Sequence, residues 1–341
     1  MKILYGVQTT GNGHIVRSAE MIKELRQKGH EVFTVLSGSS TPKILNQDVF
    51  VPYTVFKGLS FVVRKGRLCY FKTACKLNLP RFFKDIVSFK ATDFDLVVTD
   101  YEPITARIAR RNKLPSIGLG HLYAFAHRVP LPASRPLSLQ VMKRFAPVQY
   151  PLGLHWHHFN QTILPPTIPA KVRQGTPRYV KDKILVYLPF EDLQTIAETL
   201  RPLTRSEFFI YADIHKSKNI GQLKWRPFSR DAFLQDLFEC SGVICNGGFS
   251  LISEALHLGK KVLAKPVAGQ IEQEANTRAL QELGMGHVMH RLETTSILKW
   301  SLMKPGRPQN YPDVIGRVAE WIDSRAFDDP QALVRSVWKD M

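Results

Sequence analysis

Val243-Ile244-Cys245-Asn246-Gly247-Gly248-Phe249-Ser250-Leu251-Ile252-Ser253-Glu254-Ala255-Leu256-His257-Leu258-Gly259 is the stretch on which the reading of this chain turns. A short apolar run ends in two glycines and a serine, then passes into a segment with helical periodicity. A strand that turns through glycine into a helix aims free backbone N–H groups, and the positive end of the helix dipole, at whatever fills the turn. That arrangement seats a phosphate. Glu254 falls about one helical turn further on, where its carboxylate can accept hydrogen bonds from the two hydroxyls of a ribose. The glycines alone would equally suit a tight strand-to-helix turn with an ordinary surface glutamate.

The continuation, Lys265-Pro266-Val267-Ala268-Gly269-Gln270-Ile271-Glu272-Gln273-Glu274-Ala275-Asn276, tips the balance. A second strand ends in proline and glycine and opens a helix with Glu272, Gln273 and Asn276 near its start. These side chains offer both donors and acceptors to a hydroxyl-rich ligand.

Outward from these motifs, strand-like segments at 184–188, 207–211, 242–245 and 262–265 alternate with helix-like ones at 192–200, 230–240, 251–258 and 272–283. The first half repeats the pattern, with strands at 3–7, 31–36, 96–99 and 116–119 and helices at 14–28 and 103–111. Such alternation predicts α/β architecture, a parallel sheet wrapped by helices in each half. At 341 residues the chain is long enough for two cores. The proline-rich stretch 129–170 reads as an irregular region and interdomain connection, and 313–322 and 330–339 look helical.

The first strand runs into Thr10-Gly11-Asn12-Gly13-His14-Ile15-Val16-Arg17. This loop lacks the third glycine of a dinucleotide fingerprint, so it is not an NAD site. Together the three motifs resemble the signature of GT-B glycosyltransferases, in particular the MurG and monogalactosyldiacylglycerol synthase group, with related bacterial and archaeal proteins of unassigned acceptor. The glycine run before His14 is shorter than MurG's.

The resemblance implies two Rossmann-like doubly wound domains facing across a cleft. It divides the chain into an acceptor-side domain at 1–165, a donor-binding domain at 166–322 and a helical tail at 323–341 that packs back on the first domain. It places the donor on Gly11, Gly13, Phe228, Asn246, Gly247, Gly248, Phe249, Ser250, Glu254, Gly269, Gln270, Glu272, Gln273 and Asn276. Within this set Glu254 takes the ribose and Gln273 the donor sugar, while Trp225-Arg226-Pro227-Phe228-Ser229 lines the nucleotide-base pocket. His14 becomes the general base, oriented by a carboxylate from Asp100 or Glu102 in Val98-Thr99-Asp100-Tyr101-Glu102-Pro103. No metal or cofactor is expected beyond the nucleotide-diphosphate sugar. His155, His157 and His158 invite a metal reading, but no carboxylate or cysteine lies near them in sequence.

Composition narrows the partners. The net charge of +18 calls for an anionic one. Between Lys57 and Lys90 nine basic residues stand against one acid, interleaved with aromatic and aliphatic side chains. Segment 56–90 therefore reads either as an interfacial surface for an anionic membrane or as a core element whose charges face water. No run of apolar residues is long enough to span a bilayer, and four cysteines without C-x-x-C spacing suit a reducing cytoplasm, with peripheral attachment to the inner membrane's cytoplasmic face. The leading expectation is an inverting, metal-independent transfer of a sugar from a nucleotide-diphosphate donor, UDP first, to a lipid-linked or polysaccharide acceptor. A nucleotide-sugar epimerase or hydrolase on the same fold is the alternative. No nucleic-acid module accompanies the charge, so a nucleic-acid-binding role ranks last.

Overall fold

In the computed structural model, residues 1–38, 48–59, 63–64, 67–68, 78–132 and 136–341 are described. Two seven-stranded sheets organise them. Across the first, the strands run Tyr53–Phe56, Glu31–Ser37, Lys2–Gln8, Leu96–Asp100, Ser116–Gly120, Tyr150–Leu154 and Ile163–Leu164, all parallel. Across the second they run Lys218–Ile220, Leu223–Pro227, Glu207–Ala212, Lys183–Tyr187, Gly242–Asn246, Lys261–Lys265 and His287–Val288. Only the edge strand Lys218–Ile220 is antiparallel to its neighbour.

The central strands are buried along almost their whole length, as their unbroken apolar runs require when helices cover both faces. In each sheet the chain first winds outward to one side of its opening strand and then crosses to the other. The order therefore reverses between Lys2–Gln8 and Leu96–Asp100, and again between Lys183–Tyr187 and Gly242–Asn246. Ligands bind beyond the carboxyl ends of the strands at such switch points. The glycine loop at 9–13 and Asp100 stand at the first, and Asn246-Gly247-Gly248 at the second.

Two sequence expectations need correction. The proline-rich stretch 129–170 is more than a connection: it holds the helix Pro136–Phe145 and the last two strands of the first sheet. Pro136 occupies the first helical position, where a missing N–H is harmless. Pro151 lies beyond the short last strand, which pairs only with Gly153 and Leu154. Likewise Trp225-Arg226-Pro227-Phe228-Ser229, which as sequence alone is only an aromatic loop, begins inside the strand Leu223–Pro227, because Trp225 is a core residue, 3% exposed, in the second sheet.

The chain ends on the first domain. The helix Val314–Asp323 packs along Asn12–Gln27, so the crossing begins upstream of residue 323. The final helix Pro330–Lys339 follows it, and the Trp338 Nε1–H donates to the Ile163 carbonyl at 2.7 Å. Nearer the cleft, the His121 ring stacks on Phe249 at 3.9 Å, and the Trp156 Nε1–H donates to Ser253 Oγ at 2.8 Å. The floor of the cleft is thus a packed contact between the helix Phe249–His257 of the second domain and His121 and Trp156 of the first.

Segment 56–90 lies partly outside the described residues. Within its described end, the helix Leu79–Ser88 turns Phe82 and Ile86 into the core, while Leu79, Phe83 and Val87 are exposed beside Arg81 and Lys84. This one helix thus has a buried apolar face and an exposed face that mixes apolar and basic side chains. Among the described residues no helix is long and apolar enough to cross a membrane.

Candidate active site

One wall of the cleft is built around Asp100, the last residue of its strand and fully buried. Tyr101 follows in the left-handed region at φ 56°, and this bend, rare for a non-glycine residue, turns the chain sharply away from the sheet. Asp100 receives four side-chain donors. Arg17 binds it with Nε to Oδ2 at 2.9 Å and Nη2 to Oδ1 at 2.6 Å, Ser18 Oγ reaches Oδ2 at 3.2 Å, and His14 Nδ1 reaches Oδ1 at 2.8 Å. Burial by itself would raise the Asp100 carboxyl, but the Arg17 guanidinium and His14 outweigh it and hold the group below the usual carboxylate range.

With Nδ1–H given to Asp100, the His14 ring keeps Nε2 as its basic nitrogen, and His14 lines the cavity. Of the two carboxylates considered for this task, Asp100 takes it. Glu102 instead caps the helix Pro103–Asn112, accepting from the Ile104 and Thr105 N–H groups and from Ser37 Oγ.

The opposite wall carries the two glycine motifs. The helix Phe249–His257 begins at Gly248 with no side-chain cap, so its first N–H groups remain for a ligand. A Cβ at Gly248 would meet open space, whereas one at Gly247 would sit 2.9 Å from the Gln273 carbonyl oxygen. Gly247 thus permits close packing of the two motifs. Gly13 does the same across the cleft: a Cβ there would stand 2.2 Å from Ser250 Oγ. The two glycine-started helices, Asn12–Gln27 and Phe249–His257, therefore meet end to end.

Between the walls lies a cavity of about 430 Å³, within the size range of small-ligand sites. Gly11, Gly13, His14, Phe228, Gly248, Phe249, Ser250, Glu254, Gln270, Glu272 and Gln273 all line it. Asn246, Gly247, Gly269 and Asn276 stand behind this lining. Asn246 donates to the Lys265 carbonyl, and Asn276 donates to the Gly247 carbonyl at 2.9 Å while meeting His121 Nε2 through Oδ1. Gly269 turns the chain at φ 87°. Gln273 accepts from the Val267 N–H through its side-chain Oε1 at 2.8 Å.

Glu254 is 5% exposed, and Arg230 Nη2 donates to its Oε1 at 3.2 Å. Burial pushes its carboxyl up, and Arg230 opposes that. Glu272 is raised by burial as well, opposed by the charges of His14 and Arg17 across the cleft. Glu254 Oε2 and Gln270 Oε1 are buried without a hydrogen-bond partner, which is unusual for a folded protein and fits a surface made to receive hydroxyls.

Sequence reasoning passed over Arg17, Arg230 and His121, all of which line the cavity. Arg17 was within reach, since residues three apart share a helix face and His14 had been singled out. The three histidines at 155–158 use Nδ1 locally, accepting from the Trp156, Phe159 and Asn160 N–H groups in turn. Among the described residues no cluster of three or more His, Cys, Asp or Glu could hold a metal ion.

This geometry can be set beside known proteins. The glycotransferase of kitacinnamycin is 14% identical over 99% of this chain and 98% of its own, with a TM-score of 0.59. The Streptomyces sp. SF2575 glycosyltransferase SsfS6, solved with thymidine diphosphate, is 15% identical over 99% of this chain and 96% of its own, at 0.57. Acinetobacter baumannii MurG is 15% identical over 99% of each chain, at 0.54. At this identity the likeness establishes the two-domain GT-B fold. No protein of curated function matches the sequence. The profile of glycosyl transferase family 1, however, matches residues 1–302, and this chain belongs to that family.

Proposed function

We propose that the protein is an inverting, metal-independent glycosyltransferase that moves a sugar from a UDP-type donor to a lipid-linked or polysaccharide acceptor. The observation that carries this reading is the facing of two unlike walls across one cavity: His14, held by Asp100, against the Gly248 helix start and Glu254.

The acceptor hydroxyl lies between His14 and the anomeric carbon. Its oxygen attacks that carbon as His14 Nε2 removes its proton, and the bond from the anomeric carbon to the diphosphate oxygen breaks with its electron pair. One displacement inverts the centre. The free N–H groups at the starts of Asn12–Gln27 and Phe249–His257 receive the charge that grows on the leaving diphosphate. Glu254 takes the ribose, Phe228 flanks the base, and Glu272 and Gln273 take sugar hydroxyls.

Exposed Leu79, Phe83 and Val87 beside Arg81 and Lys84 support a lipid-linked acceptor met at an anionic membrane surface, with the protein peripheral on the cytoplasmic face. The test is transfer of radiolabel from UDP-sugars into membrane extracts. Labelled lipid or glycan that disappears with His14→Ala supports the reading. Label released only as free sugar points to the hydrolase alternative and contradicts it.

A further inference from the structure

A nucleoside diphosphate brings more negative charge than the cavity's committed cations can answer. Among the described residues lining it, Arg17 and Arg230 are the only arginines or lysines. Arg17 is spent on Asp100 through two nitrogens, and His14 leans on the same carboxylate. Arg230 is held far more lightly. Among the described residues its one side-chain hydrogen bond is the 3.2 Å contact from Nη2 to Glu254, and its side chain is 35% exposed where that of Glu254 is 6%. Glu254 keeps a second oxygen buried and without a partner.

We infer that Arg230 is the diphosphate-binding cation of the donor site, pairing with Glu254 as the site stands and moving onto a donor phosphate when ribose hydroxyls take over that carboxylate. The inference rests on the donor reading above. Its geometry is short-range. Ser250, at the helix start, and Glu254 lie four residues apart on one helix, which sets their Cβ atoms about 5–6 Å from each other. A long, partly exposed arginine side chain covers that distance by changing rotamer. Two anions are thus served in turn by one cation, and Glu254 exchanges its charged donor for the neutral hydroxyl donors of the ribose. The burial that raises the Glu254 carboxyl gives the exchange its reason, because a carboxylate buried there needs hydrogen-bond donors, from Arg230 in one state and from ribose hydroxyls in the other.

The test is calorimetry on the full chain with UDP, GDP and TDP and with the nucleoside of whichever binds best, comparing wild type, Arg230→Gln and Arg230→Lys. Loss of one charge-assisted contact predicts a diphosphate affinity lower by about 10- to 100-fold in Arg230→Gln, with nucleoside affinity unchanged and Arg230→Lys intermediate. An equal loss for nucleoside and diphosphate would overturn the inference, since Arg230 would then only orient Glu254; so would no loss for either. Wild type that binds nucleoside and diphosphate alike keeps the nucleoside pocket but removes this role. Wild type that binds none of them takes down the donor reading and this inference together. Equal thermal midpoints of the three proteins would show that Arg230, at the exposed start of its helix, does not hold the fold.

Discussion

The two walls of the cleft are built from the same topological feature and finished in opposite ways. At the first switch point the charge is closed on itself: Asp100 is wholly buried, with four donors around it. At the second, Glu254 is nearly as buried but has, among the described residues, one lightly held partner, and both it and Gln270 keep an oxygen without a partner there. A group that must hold its place through a reaction gains from a saturated shell, because each donor fixes its neighbours. A group that must take hydroxyls from a passing ligand gains from an unsaturated one. The contrast separates the positioning of a base from the binding of a donor.

The largest effect should come from breaking the closed wall. His14→Ala should lower kcat by about 10²- to 10⁴-fold while leaving the dissociation constant of the nucleotide unchanged. Asp100→Asn should lower kcat comparably and also destabilise the fold by about 3–5 kcal/mol, because Arg17 would remain buried without its counter-charge. Denaturant titration beside single-turnover kinetics separates the two losses. If Asp100→Asn retains full activity, the base assignment fails.

Gly13→Ala addresses the meeting of the walls. The added methyl would stand 2.2 Å from Ser250 Oγ and 3.1 Å from its Cβ, so the serine hydroxyl must turn away and the helix starts must give slightly. A loss of transfer of about 10-fold or more is expected, as small misplacements of reacting groups are costly. Pairing it with Ser250→Ala should recover part of the loss, and strict additivity of the two changes would argue against this contact.

The pH dependence of stability should differ in sign between the walls. Asp100 is depressed in the folded state, so its stabilising contribution is present above the ordinary carboxylate range and is lost as pH falls through its lowered value. Asp100→Asn should flatten the acid limb of unfolding. Glu254 is raised in the folded state, so it destabilises increasingly as pH rises through the ordinary carboxylate range up to its raised value. Glu254→Gln should therefore gain stability relative to wild type over that window. Acid titrations of thermal midpoint that move both variants in the same direction would contradict the contrast.

The smallest effect concerns the outer surface. Phe83→Ser should weaken binding to vesicles containing anionic lipid by a few-fold, with no change in nucleotide affinity, because Phe83 is 56% exposed and remote from the cavity lining. Unchanged vesicle binding would contradict a membrane role for this exposed face of the helix Leu79–Ser88.

Much of this contrast could be read in the sequence, and the unread part has a physical cause. Glycines at strand ends and the alternation of periodicities are local signals, and they located the central strands of both sheets and the helix starts that face the cleft. Pairing across the fold is not local. Nothing near Asp100 in sequence distinguishes it from Glu102, and only the bend at Tyr101 directs one carboxylate to His14 and the other to a helix cap. Arg230 follows an aromatic segment that read as a loop, because Trp225 beside Pro227 did not suggest a strand. The proline-rich stretch 129–170 hid its elements for a similar reason, since proline signals irregularity until its position within a helix or strand is known.

The central claim is that the second wall is a nucleotide-diphosphate donor site, and calorimetry of wild type and Glu254→Gln with UDP, GDP and TDP tests it most directly. The account predicts that one diphosphate, UDP first, binds the wild type and that Glu254→Gln loses affinity by about 10-fold or more, as expected when a buried acceptor for ribose hydroxyls is neutralised. Equal binding by both proteins, or none by either, would contradict it.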